Sequence, residues 1–91
     1  MTFWVKPKSS IEVLPEAQAL VRDLLELFYE YFPEYEGCLG FSQSPRRPRY
    51  LFLYMEGPCG GLLPAATRFL RALLEAAFPQ AEVRVYGKPW P

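Results

Sequence analysis

Histidine and asparagine are missing from this 91-residue chain, aspartate occurs once, and lysine is scarcer than arginine. Without histidine, the side chain most used for proton transfer near neutral pH is lacking. The carboxylates fall mainly on the outer sides of helical segments, so no pair is expected to face another across a cleft, and the chain is read as non-enzymatic. Cys38 and Cys59 stand 21 residues apart, without CxxC spacing. That pattern predicts a reduced pair rather than a disulfide or a metal site, and no metal or cofactor is expected.

Net charge is lacking as well. Ten basic residues balance ten acidic ones, so no overall field draws the chain to nucleic acid or to an anionic membrane. No apolar run approaches the roughly 20 residues of a membrane span. The opening "MTFWVKPKSS" has neither the apolar core nor the small-residue cleavage site of a secretion signal. A cytoplasmic protein without a membrane partner is the expectation.

What the chain does contain is hydrophobic and aromatic. Half of its residues are hydrophobic, 16% are aromatic and ten are proline. One domain spanning residues 1–91 can form a core from these, but a domain this small must leave some large rings outside. The many prolines and few heat-labile side chains suit a thermophile.

Periodicity defines the elements. "TFWVK" alternates as a strand ended by Pro7. From Pro15 to about Phe32, apolar positions 17, 20, 21, 24, 27, 28, 31 and 32 follow helical spacing, and Pro33 stops the run. "EGCLGF" and "RYLFLYM" read as two strands of a hairpin joined by "SQSPRRPR". A second helix starts at Pro64 with its apolar stripe at 66, 69, 70, 73, 74, 77 and 78, and "AEVRVYG" closes as a fourth strand. The order strand, helix, strand, strand, helix, strand predicts an α+β ferredoxin-like sandwich: a four-stranded antiparallel sheet, first and third strands central, both helices on one face.

The other sheet face is then open, and alternation states what occupies it. Phe3, Val5, Leu51, Leu53, Met55, Leu39, Phe41, Val83 and Val85 turn inward, while Cys38 and Gly40 turn outward. Trp4, Tyr50, Phe52, Tyr54 and Tyr86 form the outer patch, with Arg84 placed to cap a ring or to meet a carboxylate at the rim. Soluble monomers seldom leave such a patch bare. A homodimer or another protein partner is the leading expectation, since tyrosine and tryptophan anchor many interfaces. The tail "KPWP" could also lay Trp90 over the rings. Single-stranded nucleic acid is an alternative, with Arg46, Arg47 and Arg49 beside the aromatic strand. "RRPRYLFLY" lacks the glycines that RNA-recognition strands carry. A further alternative is a small enzyme or anion site in the loop Gly57–Gly61, where Cys59, Gly60 and Gly61 approach a helix start.

Pro15 opening a helix, the hairpin "YEGCLGFSQSPRRPRYLFLYME" and the closing "VYGKPW" together resemble the C-terminal domain of the enhanced serine sensitivity protein family, SseB. That family ends in proline followed by an aromatic, which Pro89 and Trp90 match loosely. The resemblance implies a small α+β domain with no catalytic residues to carry over. The family's N-terminal domain has no counterpart in these 91 residues.

Overall fold

The computed structural model describes residues 2–7, 17–43, 50–56, 59 and 61–86. Four strands and two helices follow the predicted order: β1 (Thr2–Pro7), α1 (Ala17–Tyr31), β2 (Leu39–Gln43), β3 (Leu51–Met55), α2 (Pro64–Ala77) and β4 (Ala81–Tyr86). The sheet order is β2-β3-β1-β4 with every neighbouring pair antiparallel. The fold is therefore an α+β sandwich of the ferredoxin-like type. Among the described residues no helix is long and apolar enough to cross a membrane.

Alternating positions on the strands face the helices. Phe3, Val5, Leu51 and Leu53 have no solvent exposure, and Val83 has almost none. Against them α1 sets Val21, Leu24, Leu25 and Phe28, and α2 sets Ala66, Leu70 and Leu74, completing one hydrophobic cluster. Phe41, Met55 and Val85 are partly buried at its margin.

Four local expectations need correction. The α1 stripe was expected to include Leu27 and Tyr31, yet both are exposed, Tyr31 at 66%. Tyr31 lies toward α2, where its ring meets Phe69 edge-on at 5.0 Å. The second strand starts at Leu39 rather than Glu36, because Tyr35, Glu36 and Gly37 turn the chain. Pro33–Tyr35 form a 3-10 turn, and Gly37 holds φ at +78°, a left-handed conformation that favours glycine. Pro7 belongs to β1, paired with Ala81, rather than ending the strand before it.

The fourth correction concerns the cysteines. Cys38 and Cys59 are joined by a disulfide, with Cα atoms 5.7 Å apart, not held as reduced thiols. The hairpin register explains the meeting: Leu39 stands opposite Met55, and the Glu56 N–H donates to the Cys38 carbonyl at 2.7 Å. A separation of 21 residues in sequence is thus closed across one ladder. Cys38 is buried with the core instead of lying open on the outer face.

The proline-initiated start of α2 is as expected. Leu63 is extended, Pro64 is the first helical residue, and the Leu63 carbonyl accepts the Thr67 N–H and hydroxyl. The buried Tyr35 accepts the Leu63 N–H on its hydroxyl at 3.1 Å, which ties this start to the turn after α1.

Candidate functional site

On the open face, strand pairing arranges the outward residues in rows across the sheet. One row runs Gly40, Tyr54, Thr2, Tyr86; the next runs Ser42, Phe52, Trp4, Arg84. A third pairs Lys6 with Glu82, and the Lys6 ammonium lies 5.9 Å from the centre of the Tyr50 ring. The predicted parity holds: Trp4, Tyr50, Phe52 and Tyr54 are half-buried, and Tyr86 is exposed, while their strand neighbours Phe3, Leu51 and Leu53 are enclosed.

Trp4 is the centre of the patch. Its indole meets Phe52 edge-on at 4.7 Å and Tyr86 at 5.3 Å, so three strands contribute to one ring cluster. Edge-to-face contact aligns the positive rim of one ring with the negative face of the next. Tyr54 reaches the opposite way, over Gly40. A Cβ at position 40 would stand 2.7 Å from the Tyr54 ring and 2.6 Å from the Glu56 carboxylate. Glycine is therefore what lets the ring lie down on the edge strand, a requirement that sequence spacing does not reveal.

Charge on the face is mixed rather than basic. Arg84 donates from Nε to Glu82 at 3.0 Å, an exposed pair along β4. That hydrogen bond, followed by one with Tyr86, holds the guanidinium protonated more firmly than usual. Arg84 thus meets a carboxylate, the second of its two expected roles, and among the described residues Lys6 is the cation set over a ring, which was not expected of it. Glu56, beside Tyr54 and Gly40, adds a second carboxylate.

Of the residues of the alternative sites, Cys59 and Gly61 are described. Arg46, Arg47 and Arg49 lie outside the described residues, as do Gly57, Gly60 and the "KPWP" tail. Cys59 is held in the disulfide and so presents no thiolate, and Gly61 is exposed with open space around it. Among the described residues no cluster of three acidic or cysteine side chains could hold a metal ion.

A second aromatic group, not singled out from sequence, gathers around the C-terminal end of α1. Phe28 stacks on Phe32 at 5.3 Å, with Tyr35 and Phe69 beyond. Beside it, the Tyr29 hydroxyl accepts the Leu39 N–H at 3.3 Å. Burial pushes the Tyr29 pKa up, backbone hydrogen bonds from Leu39 and Gly37 oppose the shift, and Glu36 and Glu56 add to it.

Comparison of the chain with family models, with curated proteins and with solved structures finds no match in any of the three.

Proposed function

We propose that the open sheet face is a protein-association surface and that the chain is a non-enzymatic interaction module. The observation that supports this is the ring cluster Phe52, Trp4 and Tyr86, assembled across three strands on the side away from the helices. At about 25 cal/mol per Å² of apolar surface, removing several rings from water offsets a substantial part of the entropy of association. Balanced charge around the rings, Lys6 and Arg84 against Glu56 and Glu82, favours a protein over a polyanion. Single-stranded nucleic acid on the same rings is the competing reading.

The order of motifs leads us to group the chain with the C-terminal domain of the SseB family, as a binding domain without catalytic residues. A disulfide persists in oxidising compartments or in the cytosol of hyperthermophiles. With ten prolines and no asparagine, the composition favours the second, a cytoplasmic protein of a thermophile.

Replacing Phe52 with a photo-reactive phenylalanine analogue tests the reading. Illumination in cells should yield a covalent adduct with protein. Adducts with nucleic acid alone, or none, would overturn it.

A further inference from the structure

We propose that the partner is a second copy of this chain, packed sheet to sheet on a two-fold axis that crosses β1 between Thr2 and Trp4. The inference rests on reading the face as an association surface and adds the occupant and its register. An isologous interface must be complementary to itself. The rows on this face meet that condition in shape and in charge.

Shape comes first. The small side chain of Thr2 stands between Tyr54 and Tyr86 in register and is almost wholly buried, whereas Trp4 in the next row carries the largest ring of the patch. An axis lying between the sheets and crossing β1 midway between these rows exchanges them. Each indole then sits over the partner's Thr2, and each Phe52 faces the partner's Tyr54 and Gly40. A large ring thus faces a small side chain twice, with no ring forced onto its own image.

Charge follows the same operation. Glu56 lies one residue past the end of β3 on the outward side, and Lys6 lies toward the opposite end of β1. Each is three residues from the axis, about 10 Å at 3.4 Å per residue, and the two strands are about 4.8 Å apart. A crossing of roughly 25° therefore carries the partner's Lys6 over Glu56, and the symmetric pair forms at the other end. Aligned sheets pack at about −30°, and right-handed crossovers give this rotation the same sign. A formal net charge of zero leaves no long-range repulsion between copies.

The test is charge exchange, read as solution mass by light scattering across about 1–100 µM. Lys6→Glu and Glu56→Lys each place like charges together at both symmetric positions and should weaken self-association about tenfold or more. Mixing the two single variants pairs Glu with Lys at both positions and should restore the dimer. The double variant Lys6→Glu/Glu56→Lys should associate like the wild type. Recovery on mixing also shows that each variant is folded. Single variants that dimerise normally, or that stay apart when mixed, would overturn the register. If Tyr54→Asp nonetheless gives monomers, the face still associates, in another register. A wild-type chain that stays monomeric while position 52 cross-links to a different protein overturns the second copy alone. The absence of any protein adduct removes the underlying reading as well.

Discussion

The two aromatic groups of this domain use the same kinds of side chain to opposite ends. At the C-terminal end of α1, Phe28, Phe32 and Tyr35 come from eight consecutive residues and gather with Phe69 of α2, with Phe28 fully buried. On the sheet, Trp4, Phe52 and Tyr86 come from distant parts of the chain, meet only when three strands pair, and remain partly open to solvent. The first group holds the helix layer together. The second adds less to a single chain's stability, and its exposed apolar surface is what we propose a partner covers. Ring content alone thus does not separate core from surface; the phase of each ring relative to its element does.

Substitution at one ring in each group should separate the two roles most sharply. Phe28→Ala leaves a cavity at a site touching four other rings and should lower the unfolding free energy by about 3–5 kcal/mol in denaturant titration. Phe52→Ala should cost about 1 kcal/mol in the same titration, because the ring is only half-buried, yet it should markedly weaken association. Equal stability losses at the two sites would erase the distinction.

The disulfide stands where the two regions join. Cys38 donates its N–H to the Tyr35 carbonyl on the helix side, and its own carbonyl accepts from Glu56 on the sheet side. Replacing both cysteines with alanine, or adding reductant, should lower stability by about 3 kcal/mol, the constraint expected for a loop of this length. Unfolding curves that coincide with and without reductant would show that the bond contributes nothing in solution.

The smallest effect concerns pH. The Tyr29 pKa is raised in the folded chain, with burial as the leading cause, so the unfolded chain loses this proton first. The contribution is complete below the ordinary tyrosine value near 10 and is lost as pH rises through the raised folded value. Thermal melts between about pH 9 and 11 should therefore decline more steeply for the wild type than for Tyr29→Phe. Parallel declines would mean that the hydroxyl titrates as it does in water.

Much of the architecture was legible because it depends on local periodicity. Spacing of 3.6 residues set out both helices, Pro64 marked the start of the second, and the alternation Tyr50, Leu51, Phe52, Leu53, Tyr54 assigned the two faces of β3 correctly. The errors came where a neighbour in space decides. Glu36 and Gly37 looked like strand because their part in a turn depends on the positive φ of Gly37. Leu27 and Tyr31 looked buried because apolar spacing does not say how wide a stripe the sheet can cover. Lys6 was passed over because its ring, Tyr50, stands beside another strand.

Sequence by itself determined the element order, the pairing of two helices with four strands, and which residues of each central strand turn away from the helices, since these follow from repeats only two to four residues long. The tertiary structure alone decided that Cys38 meets Cys59, that Tyr54 rests on Gly40, and that Trp4 gathers rings from both neighbouring strands. Those contacts join residues far apart along the chain. Their geometry depends on ladder register and strand order, which no single segment encodes.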